Sequence, residues 1–368
     1  MQSYDPDADV GDYLKVFALS TVILQNVLVL GISVTPSVNY QNGIGFAYDA
    51  IKFSAPAFIF GILYSTIRTT INTNIGYRRY MHNCWGLLFV PSIWWVLIYL
   101  TIMPNLQQVQ HYHNALTFCW QFINGNAAPH LWYNVMMLQF IILTPIFWMI
   151  GHWCDHHPRR AWFIIAITLA FELLWLLMYD TLVFHGPYSK QWYLLDRVFL
   201  SFLIYAVLGT LAWQYHENVF RGLKRYWWVL IILFIGTFAW NNRQLFSYGH
   251  PLVLANAPYY KPMMLLYDLV VIGLIFVFAR WQIDRQSSAT HFFHLFATFA
   301  HRAFLSSSFW MAIVWWSFGK TFTSQHHVWG ILIVYLLTWL MSFASAFGNH
   351  AAWHAVRPKI VNIIKKAA

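Results

Sequence analysis

From residue 13 onward, long apolar runs alternate with short polar breaks. A helix crossing the hydrocarbon core of a bilayer needs about 20 mostly apolar residues. Ten stretches answer to that pattern, at approximately 13–33, 51–68, 83–103, 130–150, 161–180, 195–213, 226–241, 262–281, 303–319 and 328–348. The pattern predicts an all-α, polytopic membrane protein with about ten transmembrane helices in one bundle. No soluble domain, low-complexity linker or internal repeat interrupts it, so residues 1–368 read as a single domain. The longest loops, around 104–129 and 242–261, are polar and carry Pro, Asn and Gly.

Composition sharpens this picture. Charged residues make up 9% of the chain and hydrophobic residues 59%, whereas a soluble domain is about 25% charged. Mean hydropathy is +0.50. The 22 Lys and Arg outnumber the 12 Asp and Glu. In a membrane protein this excess points to cytoplasmic loops and away from nucleic acid. Sixteen basic residues fall on one side of the predicted bundle, Lys15 among them. Six fall on the other: Lys52, Lys190, Arg197, Arg243, Lys261 and Lys320. That bias places both termini in the cytoplasm. The membrane expected is the plasma (inner) membrane. The N-terminal stretch is acidic (Asp5, Asp7, Asp9, Asp12), so no signal peptide is expected ahead of the first span. Aromatic clusters such as YWWVL at 226–230 read as interface anchors or packing. Cys84, Cys119 and Cys154 are scattered and form no disulfide framework or zinc-type spacing. There is no Gly-rich phosphate loop, and no metal is expected.

Polar groups inside spans are costly and therefore informative. Lys15 and Asn26 are eleven residues apart. They share one helix face and lie about 16 Å apart along its axis. Together they line a path, or they are a snorkelling lysine and an amide bonded to a neighbouring helix. Glu172, in LAFELLWLL, is the deepest carboxylate and should face the bundle interior. A proton-handling or substrate-binding role and a structural ion pair are both open to it. Asp268 lies nearer the outer end of its span. Asp196 and Arg197 read as a local pair. Arg78 and Arg79 are anchors by default, but Arg also offers a fork of donors to phosphate oxygens. His111, His113, His326 and His327 are expected on solvated outer loops.

Four segments, in order, resemble the acyltransferase-3 family of ten-helix membrane proteins. DYLKVFALSTVILQN is similar to its opening helix, FSAPAFIFGIL to its P-x-F-F-x-x-S-G segment, and YRRYMHNCWGLLFVPSIWW to its paired-Arg entry to the third helix. HLWYNVMMLQFIILTPIF at 130–147 is the most specific likeness, with His, Leu, Trp, an aromatic and a later Pro at similar offsets. Members of that family move an acyl group from cytoplasmic acyl-CoA to extracytoplasmic sugars. Their pattern of Arg, ten residues, then His is occupied here by Lys15 and Asn26. Asparagine cannot act as a general base near neutral pH. The late S-F-x-I-Y-L-x-H motif keeps Ser308 and Phe309, but has Ala312 and Trp315 where Tyr and His are usual. His82 stands where a third Arg is common.

The resemblance implies a membrane O-acyltransferase with acyl-CoA as co-substrate. It would move an acetyl- or succinyl-type group to a polysaccharide or lipid-linked glycan of the cell envelope. Glu172 or His130 would replace the missing base, Asn26 would orient the acceptor or stabilise an oxyanion, and Lys15, Arg78 and Arg79 would hold the anionic donor. Its partners would be membrane lipid and the glycan acceptor, with no nucleic acid, and the assembly a homodimer or a polysaccharide-synthesis complex. The alternative is a non-catalytic family member acting in export or assembly of a surface polysaccharide. An ion-coupled transporter resting on Glu172 and Asp268 ranks last, because no pair of broken helices of the inverted-repeat kind is visible.

Overall fold

A computed structural model describes residues 9–367 apart from 74, 185 and 258, with side chains described as far as 352. Among these residues the chain is all-helical and has no strand. The helices are α1 (Val10–Ile32), α2 (Val38–Ala50), α3 (Ser54–Thr70), α4 (Tyr77–Cys84), α5 (Val90–Thr101), α6 (Ala115–Asn124), α7 (Leu131–Ile142) and α8 (Thr144–Cys154). They continue as α9 (Pro158–Met178), α10 (Leu203–Gln214), α11 (His216–Arg225), α12 (Trp227–Phe246), α13 (Pro262–Asp284), α14 (Ala289–Val314), α15 (Lys320–Gln325) and α16 (His327–Ala367).

Seven helical segments are long and apolar enough to cross a membrane, and α7 with α8 makes eight if that bent pair is one span. The expected count of about ten is therefore reached only in part. Two of the ten expected stretches fall short for different reasons. Phe199–Gln214 is helical and apolar but short. The stretch at 303–319 starts inside α14 and ends in a π turn over Trp315–Gly319. It carries Ser306, Ser307 and Ser308, while His301 and Arg302 lie just before it, so no window here is apolar enough to count as a span. The expected span at 130–150 is broken: α7 and α8 meet at 53°. Pro145 lies in the first turn of α8, where its missing N–H and its ring prevent a continuous helix. The loop expected at 104–129 contains α6, which begins with a capping box between Asn114 and Thr117.

Helix α1 also starts on a reciprocal cap. Asp9 Oδ1 accepts from the Asp12 amide at 2.8 Å, and Asp12 Oδ2 accepts from the Asp9 amide at 3.4 Å. From there α1 packs along α3 and α14, α3 packs on α10, α14 on α16, and α12 on α13. Small residues let α3 sit at the centre. A Cβ on Gly209 of α10 would lie 2.5 Å from the Phe60 carbonyl, and one on Gly11 of α1 would lie 2.6 Å from the Gly61 carbonyl. Close backbone approach of this kind is how helices associate where lipid offers no hydrophobic drive. Between α4 and α5 the helix widens to a π turn over Trp85–Phe89. Pro91 follows two residues after Phe89 and cannot donate to the Leu87 carbonyl, so the local ladder must shift.

Candidate functional site

Three of these helices each run past two cavities in succession. On α1, Lys15 lines one cavity and Gln25 and Asn26 line the other. On α3 the sequence is Phe58, Ile62 and Ser65 in the first, with Ala55 in the second. On α7 it is Met137 and Ile141 in the first, with Tyr133 in the second and His130 just ahead of the helix. The two cavities have volumes of about 350 Å³ and 370 Å³. We call the first the basic-end cavity, after the Lys15 end of the bundle, and the second the distal cavity.

The basic-end cavity has a hydroxyl-rich wall made by Ser65, Thr66, Thr69 and Thr70 at the C-terminal end of α3. Lys15 is not a free cation. Its Nζ donates to Asp12 Oδ1 at 2.8 Å, while Asp12 Oδ2 faces His294 Nδ1 at 2.7 Å. Beside them, Arg68 pairs with Asp9 at 3.0 Å. Lysine has three N–H donors, so this pairing leaves capacity for an anion. Deeper in, His301 Nε2 and Ser92 Oγ both meet Asn134 Oδ1 at 3.2 Å. An amide oxygen only accepts, so Nε2 carries the proton, and the His301 Nδ1 lone pair has no partner among the described residues.

The expected donor-binding arginines stand outside this cavity. Tyr80, Asn83 and Cys84 present one face of α4 to it, whereas Arg78 and Arg79 lie exposed on the other side, near His82 and Trp85.

In the distal cavity the structure brings together Asn26 and His130, two of the three expected catalytic residues. One N–H of the Asn26 amide donates to the Val22 carbonyl at 3.0 Å. His130 is 2% exposed. Its Nδ1 lies 2.6 Å from Ser308 Oγ, and its Nε2 has no partner among the described residues. Tyr133 is equally buried, and its hydroxyl also lacks a partner. Glu172, the third expected residue, lines neither cavity. It is fully buried, and its Oε2 accepts from the Ile204 amide at 3.3 Å. There it satisfies an otherwise orphaned donor in the first turn of α10.

Other cavity residues have no catalytic or binding role assigned from the sequence, although Asp196 and Arg197 read there as the local pair that the structure shows. Lys52, counted only as a distal basic residue, is 4% exposed. Its ammonium lies 4.1 Å from the Tyr259 ring centre and 3.2 Å from the Tyr48 hydroxyl. Gln25 donates to the Ile51 carbonyl at 2.7 Å and to Ser54 Oγ at 2.9 Å, and accepts from the Tyr259 hydroxyl at 2.7 Å. The Gln25 neighbour of Asn26 is thus the structural amide of the pair, locking α1 to α3 and to the 259 loop. Arg197 completes the wall. A lysine next to a span looks like any snorkelling anchor in sequence, which is why Lys52 carried no signal.

A layer of rings lies where the walls of the two cavities meet. Phe58, from the basic-end side, meets Tyr133, from the distal side, edge to face at 5.4 Å. Phe304 closes the layer, 5.6 Å from Tyr133 and 4.8 Å from the His130 ring. Among the described residues no group of three or more His, Cys, Asp or Glu is arranged to hold a metal ion. Comparison with family models, with characterised proteins and with solved structures finds no match to this chain.

The Asp12–His294 contact carries a pH prediction. The hydrogen bond to the carboxylate, opposed by burial, raises His294 above its ordinary 6.5. A group with a raised folded-state value stabilises fully below its unfolded value and loses that contribution as pH rises through the folded one. Thermal stability of the detergent-purified protein should therefore decline from pH 6.5 upward through the raised value. His294→Gln should be less stable at acid pH and should flatten this slope. An unchanged slope in the variant would remove His294 as its source.

Proposed function

We propose that this protein is an O-acyltransferase working across the bundle, with an activated acyl donor entering the basic-end cavity and a hydroxyl acceptor the distal one. The observation that carries this reading is the pair of cavities threaded by α1, α3 and α7, whose walls meet at the Phe58–Tyr133 ring contact. We take the ten expected helical stretches as one transmembrane unit, with the basic end cytoplasmic in the plasma membrane. Acyl-CoA is the proposed donor and an envelope glycan or lipid-linked sugar the proposed acceptor.

In the proposed step the acceptor hydroxyl attacks the thioester carbonyl at the ring layer. A C–O bond forms, the C–S bond breaks, His130 Nε2 takes the hydroxyl proton, and the thiolate leaves and is protonated as free thiol. The free Tyr133 hydroxyl is suited to donate to the developing oxyanion. His130 suits a base because one ring nitrogen is fixed by Ser308 and the other is open. Lys15 and the α3 hydroxyls would steady the polar part of the donor.

Mass spectrometry of surface glycans and glycolipids tests this in wild-type, deletion and Lys15→Ala cells. The expected result is polymer present in all three, with one acyl mass missing from the deletion and strongly reduced in Lys15→Ala. If instead the polymer disappears from the surface while acylation of its precursors is unchanged, the transferase reading is overturned in favour of export or assembly.

A further inference from the structure

A third cavity, on another flank of the bundle, is unlike the two at the candidate site. It has a volume of about 600 Å³, within the roughly 300–1,000 Å³ range of small-molecule sites, and no charged residue lines it. Leu208 and Leu211 of α10, Ile165 of α9, and Leu269, Ile272 and Phe276 of α13 form its depth. Its other end lies against α11, through Val219, Gly222 and Leu223. The Trp162 ring on its rim is 71% exposed.

Helix α11 divides its residues by side. Val219, Gly222 and Leu223 are part-buried toward the groove, while Arg221, Lys224 and Arg225 are exposed. The exposed aromatics Tyr226, Trp227 and Trp228 follow immediately. A short amphipathic helix with basic residues on its polar side, followed by a tryptophan pair, has the make-up of an element lying at a membrane surface. Arg159 and Arg160 at the start of α9 are exposed at the same end of the groove, beside Pro158 and Ala161 of its wall.

The charge around this mouth is unbalanced. Glu217 and Asp284 are both held by Arg280, at 3.1 and 2.9 Å. Among the described residues no salt bridge joins Arg159, Arg160, Arg221, Lys224 or Arg225 to a carboxylate. Arg221 and Arg160 meet only neutral acceptors, Asn218 at 3.4 Å and the Trp153 carbonyl at 3.1 Å. Lys224 and Arg225 lie over the rings of Phe220 and Tyr226. An uncharged groove opening beneath five such cations is complementary to one molecule with an anionic head and an apolar tail.

We propose that this groove is a binding site for an anionic phospholipid, with an acyl chain between α9, α10 and α13 and the phosphate headgroup at the basic residues of α11 and α9. The site is separate from the two cavities threaded by α1, α3 and α7, so it stands or falls independently of the acyl-transfer reading.

The test is native mass spectrometry of the full-length protein, delipidated in detergent and offered equimolar dioleoylphosphatidylglycerol and dioleoylphosphatidylcholine. Wild type should retain phosphatidylglycerol preferentially. The triple variant Arg221→Gln, Lys224→Gln, Arg225→Gln should lose that preference, by roughly fivefold for each cation removed. Gly273→Leu should fill the groove, since a Cβ there already lies 3.3 Å from Leu230 and 3.5 Å from Leu223. It should reduce retention of both lipids. The ratio of the two lipids on one protein sample is insensitive to how much of that sample is folded. Equal retention by wild type, a preference that survives the triple variant, or full retention by Gly273→Leu would each overturn the proposal.

Discussion

His130→Ala is expected to lower the proposed acyl transfer by at least about 100-fold, the lower end of what a positioned general base contributes. The side chain sits in the distal cavity with Nε2 open, while Nδ1 is held 2.6 Å from Ser308 Oγ. Edge contacts with Phe304 and Tyr99, at 4.8 and 5.5 Å, fix the ring plane. A ring held this firmly gains rate by arriving already oriented. Ser308→Ala should therefore cost less than His130→Ala, because the ring contacts remain when the hydroxyl is lost. Glu172→Gln should leave the rate within a few-fold, since that carboxylate lines neither cavity and already accepts from the Ile204 amide. The measurement is transfer of an isotopically labelled acyl group by membranes matched for protein level. His130→Ala retaining more than about a tenth of wild-type activity would sink the base assignment.

This contrast shows what the sequence could and could not reveal. Lys15 and Asn26 were readable as one face of one helix, because eleven residues is close to three turns. The structure places them on that helix at successive cavities. Apolar run length likewise located most of the helices. Run length failed at Pro145, where the span breaks, and at 303–319, where three serines lie within the run and His301 and Arg302 stand just before it. It also passed over α2, whose VNYQNGIGFAYDA is too polar and glycine-containing to stand out. Yet α2 leads directly into Lys52, and its Tyr48 hydroxyl accepts from that ammonium. Contacts between distant segments carried no local signal at all. Ser308 meets His130 across 178 residues, and Tyr259 meets Gln25 across 234. Glu172 was correctly read as facing inward, but depth alone did not distinguish a carboxylate that serves chemistry from one that satisfies a helix end.

The second large effect is on stability. Arg197→Met is expected to destabilise the protein by about 2 kcal/mol, because it leaves the part-buried Asp196 carboxylate and the buried Asn124 carbonyl without their partner. Arg197 is 7% exposed. Its Nε donates to Asp196 Oδ1 at 3.3 Å, and its Nη1 donates to the Asn124 carbonyl at the end of α6. The same backbone is tied elsewhere: the Arg197 carbonyl accepts from Gln139 at 2.7 Å, and the Asp196 carbonyl accepts from Tyr260 at 3.1 Å. One side chain thus joins the end of α6 to the turn before α10, which α7 and the 259 loop also grip. Lysine cannot reproduce a forked contact to a carboxylate and a carbonyl at once, so Arg197→Lys should recover only part of the loss. Asp196→Asn combined with Arg197→Met should be more stable than Arg197→Met alone, since the stranded charge is gone. Thermal unfolding of the purified variants reads this directly, as a fall of several degrees for the single substitution. A shift of under about one degree would mean that the guanidinium is solvated and that Asn124 holds its place without it. A fall that the double variant does not relieve would put the cost in the lost carbonyl contact and not in the unpaired carboxylate.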